Sequence, residues 1–239
     1  MPESSLPPHL NRDSNTVSVK ELSRSTTQLI GRGKEKDDVI KLLSDCNPIR
    51  QVISVWGMGG IGKTTLVKSI YQSSELEKLG FERRAWVTVL RPFQLTELLR
   101  SLAQRLVKDS PGKKVESTPG LARSGLSTMG SEELIDKLKQ DLTGKKYLIV
   151  LDDLSTTTEW DSIIRNLPID NNGSRIILTT RFKPVAQHCS KKEMNMHNIE
   201  GLTDGDALEL FLTKVNAPTF LLTKSLCVWG GGGGTTHNF

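Results

Sequence analysis

The strongest constraint on this chain is Gly57-Met58-Gly59-Gly60-Ile61-Gly62-Lys63-Thr64, a G-x-x-x-x-G-K-T pattern. It follows Gln51–Trp56 (QVISVW), a β-branched run that stops at glycine as a buried strand does, and it precedes the helix-forming residues Leu66–Tyr71. Strand, glycine-rich turn and helix in that order give the pattern its required context. Glycines let the backbone curl without side-chain clashes, so successive N–H groups point into one concavity. A helix starting near Gly62 adds the positive end of its dipole. In such a loop Lys63 reaches the β- and γ-phosphates of a nucleotide, and the Thr64 hydroxyl ligates Mg²⁺. The expected contacts to a nucleoside di- or triphosphate are Gly57, Gly59, Gly60, Ile61, Gly62, Lys63, Thr64 and Thr65.

A second element of such a site lies at the end of another apolar strand. Leu148-Ile149-Val150-Leu151-Asp152 has that form, and it would place the Asp152 carboxylate beside the metal, directly or through water. Asp153 follows where many P-loop ATPases carry a glutamate that orients the attacking water. Aspartate is one methylene shorter, so water positioning by Asp153 goes with weak hydrolysis. A third element is Arg181, just past the run Arg175–Thr180. If that strand lies between the other two, Arg181 faces the third phosphate and distinguishes triphosphate from diphosphate by charge.

The rest of the chain alternates strands and helices. Asp37–Leu43 offers one apolar helical face, Arg84–Leu90 reads as a strand, and Gln94–Val107 places leucines at helical spacing. Residues 108–130, rich in Gly and Pro, read as a mobile loop. Ser131 is the expected N-cap of a helix stopped by Gly144. Tyr147–Leu151 is continuous and apolar, the pattern of a strand covered on both faces. Glu159–Leu167 reads as a helix, and Met196–Ile199 as a last short strand. This order predicts an α/β, three-layer P-loop NTPase fold with a mostly parallel sheet. Thr203-Asp204-Gly205-Asp206 has capping-box spacing before Leu208, Leu210, Phe211, Leu212 and Val215, the start of a helical domain. The expected organisation is a flexible lead-in (1–28), the nucleotide-binding domain (29–200), the start of the helical domain (201–216) and a disordered tail (217–239). The tail contains the glycine run Gly230–Gly234.

Composition narrows the function. The formal charge of +5 is spread along the chain, with only Lys113-Lys114 and Lys191-Lys192 as short clusters and no basic block interleaved with aromatics. That argues against nucleic-acid binding. Cys46, Cys189 and Cys227 form no CxxC or Cys/His cluster and read as reduced thiols of an intracellular protein. His9, His188, His197 and His237 have no catalytic or metal-binding spacing. No stretch approaches the ~20 apolar residues of a membrane span, and no secretory signal opens the sequence. The expectation is a cytoplasmic protein, with the nucleus as the alternative.

GMGGIGKTTL (57–66), FERRAWVTV (81–89), KKYLIVLDDL (145–154), GSRIILTTR (173–181) and IEGLTDGDALELF (199–211) occur in the order and spacing of an NB-ARC domain. Over residues 29–216 the chain resembles the nucleotide-binding domain of coiled-coil-type NLR proteins, the intracellular disease-resistance receptors of plants. The resemblance implies an ADP/ATP-binding switch in which exchange of ADP for ATP drives oligomerisation and defence signalling. Implied partners are the nucleotide, a homo-oligomer and other NLR domains. It also implies that Ile30 and Arg32, in the family's short motif upstream of the P-loop, contact the adenine–ribose end, and that the Arg181 strand lies between the other two. The family's later blocks do not follow. Met196-His197-Asn198 only superficially resembles its MHD motif and sits far too early. A truncated receptor module, holding ADP more weakly than a complete receptor, is therefore expected. Two other readings stay open: a P-loop ATPase enzyme, and a non-switching fragment that interacts with full-length receptors. No N-K-x-D guanine motif occurs.

Overall fold

The computed structural model describes residues 29–108, 126 and 128–215. Among the described residues five strands form one sheet: β1 (Gln51–Trp56), β2 (Arg83–Thr88), β3 (Tyr147–Leu154), β4 (Arg175–Thr180) and β5 (Met196–Asn198). Their spatial order is β2-β3-β4-β1-β5, and every neighbouring pair is parallel. β4 thus lies between β1 and β3.

The side-chain period of two splits the strands between two cores. Ile53, Val55, Leu148, Val150 and Ile177 face one side of the sheet, with α1 (Gly33–Leu43), α2 (Lys63–Tyr71) and α3 (Ser74–Glu77). Ile149, Leu151, Ile176 and Leu178 face the other, with α4 (Leu95–Lys108), α5 (Ser131–Leu142), α6 (Thr157–Ile164) and α7 (Lys183–Ser190). Because both faces are covered, β3 and β4 are buried along nearly their whole length, which is why their sequences are continuous rather than alternating. Together these form the expected α/β/α sandwich. A final helix, α8 (Asp204–Lys214), has no buried residue.

Several boundaries differ from the sequence expectation, each for a local reason. β3 continues past Leu151 to Leu154, carrying Asp152 and Asp153 within the strand, with a register shift against β4 between Leu151 and Leu154. α6 begins at Thr157 because Thr156 caps it: the Thr156 hydroxyl accepts from the Glu159 N–H at 3.2 Å, and the Glu159 carboxylate accepts from the Thr156 N–H at 3.3 Å. Gly130, not Ser131, is the N-cap of α5, and its N–H donates to Glu133 Oε2 at 3.2 Å. Most of the loop expected at 108–130 lies outside the described residues, as do the lead-in 1–28 and the tail 217–239. Within that stretch Leu126 and Thr128 are helical, and Leu126 is buried.

One buried cation ties the amino end of the sheet together. Arg175, 1% exposed, donates to the carbonyls of Ile49 (3.3 Å), Ser174 (3.0 Å) and Asn47 (3.0 Å), and also to that of Asp45.

Candidate functional site

Parallel strands bring the ends of β1, β3 and β4 to one edge, and the predicted site residues sit there. Beyond β1 the chain turns through Gly57 (φ 149°), Gly60 (φ 76°) and Gly62 (φ 105°), conformations that L side chains rarely adopt. At Gly57 space adds a second requirement, since a Cβ there would stand 2.6 Å from the Ile199 carbonyl oxygen. Gly62 is the N-cap of α2, so the helix begins at Lys63.

Lys63 is largely buried, and its ammonium donates to the carbonyls of Gly57 (2.8 Å) and Met58 (2.7 Å). An ammonium has three donors, so one remains for a ligand. Burial and the neighbouring Arg181 push its pKa down, partly offset by Asp153 and Asp152. Asp152 is 5% exposed, and its Oδ1 accepts from the hydroxyls of Thr64 (2.8 Å) and Thr179 (2.7 Å). The Thr179 hydroxyl in turn accepts from the Asp153 N–H at 2.8 Å. Arg181 Nε lies 3.5 Å from Asp153 Oδ1. The guanidinium also overhangs the P-loop, with Nη1 3.5 Å from where a Cβ on Gly59 would stand.

These groups line one cavity of about 330 Å³, bounded by Gly59, Gly60, Gly62, Lys63, Thr64, Thr65, Thr88, Asp152, Asp153, Thr179 and Arg181. A wider cleft beside α2 shares Thr64 and Thr65 with it and also contains Lys36 and Lys68. The donor set fits a divalent cation: a buried carboxylate and a hydroxyl are hard oxygen ligands of the kind Mg²⁺ takes, the remainder being water and phosphate. Asp152 makes no ion pair among the described residues, and a buried carboxylate without a cation is costly.

Not every predicted contact reaches this cavity. Gly57 and Ile61 shape the loop without lining it. Ile30 is buried away from it, and Arg32 serves as a strut. The Arg32 guanidinium donates to Glu35 Oε1 (2.7 Å) and to the carbonyls of Ile61 (3.3 Å) and Glu200 (2.6 Å). It thereby joins the upstream segment, the P-loop and the linker to α8. Conversely, Thr179 and Thr88 belong to the cavity and escaped the sequence reading. Their one signal is register, because Thr88 pairs with Asp152 across β2–β3, and such a neighbour is invisible in a local pattern. Met196-His197-Asn198 forms the edge strand β5, apart from the cavity.

A parallel sheet whose first strand turns through a glycine loop into a helix, with an acidic strand end two strands away, defines the P-loop nucleotide-binding class. Solved structures agree on the fold. Drosophila ORC bound to DNA matches with a TM-score of 0.53 at 12% identity, covering 91% of this chain and 56% of that one. The ADP form of the Aeropyrum pernix ORC2 protein matches with a TM-score of 0.52 at 14% identity, covering 79% and 53%. The NB-ARC domain family model matches residues 32–220. Disease resistance protein RPM1 of Arabidopsis thaliana is 34% identical over 200 residues, covering 84% of this chain and 21% of that protein. Disease resistance protein RPP13 of the same plant is 34% identical over 205 residues (83% and 23%), and disease resistance protein Pik-2 of Oryza sativa subsp. japonica is 32% identical over 200 (69% and 19%). The chain belongs to the NB-ARC domain family, as a nucleotide-binding module. It spans about a fifth of the length of these relatives.

Proposed function

We propose that this module is the ADP/ATP-binding switch element of a plant intracellular immune receptor, acting in the cytoplasm or nucleus. The observation that carries the reading is the convergence of Lys63, Thr64, Asp152, Asp153 and Arg181 on one cavity at the carboxyl ends of β1, β3 and β4. The P-loop amides and the third Lys63 donor hold the β-phosphate. Thr64 and Asp152 would hold Mg²⁺, which would supply positive charge to offset that of the phosphates. Arg181, overhanging Gly59, reads the third phosphate. Asp153 is the group available to position water, and its pairing with Arg181 fits weak or no hydrolysis. We assign the adenine–ribose end to the side of Ile30 and Arg32, where Arg32 supports the P-loop through the Ile61 carbonyl.

Residues 201–216 begin a helical domain on this reading. The exposure of Phe211 on α8 and of Val215 just past its end supports that, because the helix lacks a core of its own. Oligomerisation and contacts with other receptor domains belong to the same proposal. Among the described residues no helix is long and apolar enough to cross a membrane.

The testing experiment is to denature the purified protein and identify the released nucleotide chromatographically. ADP supports a resting switch. Protein that is empty and takes up neither ADP nor ATP contradicts the assignment, and steady-state phosphate release well above ~10⁻² s⁻¹ would make the module an enzyme instead.

A further inference from the structure

We propose that Asp153 sets the nucleotide specificity of the site: its carboxylate competes with the third phosphate for Arg181, and so lowers the preference for triphosphate over diphosphate. The inference rests on the nucleotide reading above and gives Asp153 a role other than water positioning.

The placement of Asp153 is unusual and well supported. Its φ of 62° lies in the left-handed region, and among the described non-glycine residues only Lys191 shares it. Such a conformation persists where surrounding contacts over-determine it. Here the Asp153 N–H donates to Thr179 Oγ1 at 2.8 Å, and the Asp153 carbonyl accepts from Arg91 at 3.1 Å. Arg91 is anchored in turn by Glu159 Oε1 at 3.1 Å. The Glu159 carboxylate is itself mostly buried and accepts from the N–H groups of Ser155 (3.1 Å) and Thr156 (3.3 Å). A chain of polar contacts thus runs from α6 through Arg91, three residues beyond β2, to the end of β3. It fixes the Asp153 backbone while its carboxylate lines the cavity beside Arg181.

The pair itself is weak. The two side chains are 58% and 43% exposed and 3.5 Å apart, so solvent screens the attraction and exchange of partners costs little. A phosphate carrying more than one negative charge and several acceptor oxygens is the stronger partner for a guanidinium. A third phosphate would therefore draw Arg181 from Asp153, whereas a diphosphate leaves the pair intact. Each binding event with triphosphate must break the pair, and its affinity is lowered by that amount.

Calorimetric titration of the chain with ADP and with the non-hydrolysable β,γ-methylene analogue of ATP, both with Mg²⁺, tests this. The variants are Asp153→Asn, Arg181→Gln and the double substitution. Asparagine also tolerates left-handed backbone, so Asp153→Asn keeps the fold, which its thermal midpoint verifies. Asp153→Asn is expected to raise the ratio of triphosphate to diphosphate affinity by about two- to three-fold. In the Arg181→Gln background the same change should leave the ratio unaltered. An unchanged ratio in Asp153→Asn overturns the proposal, and so does an equal rise without Arg181, which would mark a general field effect. Either outcome with normal ADP binding by the parent chain spares the nucleotide reading, whereas a parent chain that binds neither ligand overturns both.

Discussion

The hydroxyl of Thr64, at the start of the P-loop helix, donates to Asp152 Oδ1 across 2.8 Å, although the two residues are 88 positions apart in sequence. The bond closes the gap between two elements on non-adjacent strands, and it marks where a divalent cation would be held. Replacing Asp152 by asparagine keeps an acceptor for Thr64 and Thr179 but removes the charge. Chelating Mg²⁺ should weaken triphosphate binding by the parent on the order of ten-fold and that by Asp152→Asn by less than about two-fold. Titrations with and without chelator measure both.

Gly57→Ala should damage fold and site together. The new Cβ would sit 2.6 Å from the Ile199 carbonyl oxygen, on a residue with φ 149°. The expected loss is about 2 kcal/mol of stability, read as a melting temperature lower by roughly 4–8 °C. Gly33→Ala is the control: nothing lies within 4 Å of its Cβ, and it should be neutral.

Arg175→Ala should destabilise the chain by about 3 kcal/mol without a direct effect on nucleotide affinity. It strands the carbonyls of Asp45, Asn47 and Ile49 at the end of the sheet remote from the P-loop, whereas that of Ser174 keeps the Gln51 N–H at 3.2 Å. Denaturant unfolding and an ADP titration of the same variant separate the two effects.

His197 should make stability pH-dependent. Burial pushes its pKa below the ordinary 6.5, against the opposing pull of Asp38 and Glu35, and its Nε2 lacks a hydrogen-bond partner among the described residues. The fold therefore favours the neutral ring, while the unfolded chain takes up a proton near 6.5. Stability from this group is full above pH 6.5 and falls as pH drops below it. His197→Asn should flatten the unfolding free energy between about pH 5 and 7 relative to the parent.

Much of this was legible from local pattern, and the reason is burial. β1, β3 and β4 are covered on both faces, so QVISVW, YLIVL and RIILT read unambiguously as strands, and the glycine spacing at 57–62 admits few alternatives. Lys63, Thr64, Asp152 and Arg181 meet where their strand ends put them. What escaped depends on long-range register or on capping by side chains: Thr179 and Thr88 in the cavity, Thr156 starting α6 two residues early, and the continuation of β3 through Asp153. Arg32 shows a further limit, because a motif match cannot tell a guanidinium turned to ligand from one turned to backbone carbonyls.

The central claim is that the glycine loop and Lys63 hold a polyphosphate. The most direct measurement is an equilibrium titration of ADP and ATP into the parent chain and into Lys63→Ala, with thermal unfolding to verify that the variant folds. The expected result is binding by the parent and a loss of at least about a hundred-fold in the variant, since the buried ammonium is the main neutralising charge. A folded Lys63→Ala variant with parental affinity for both nucleotides would contradict the account.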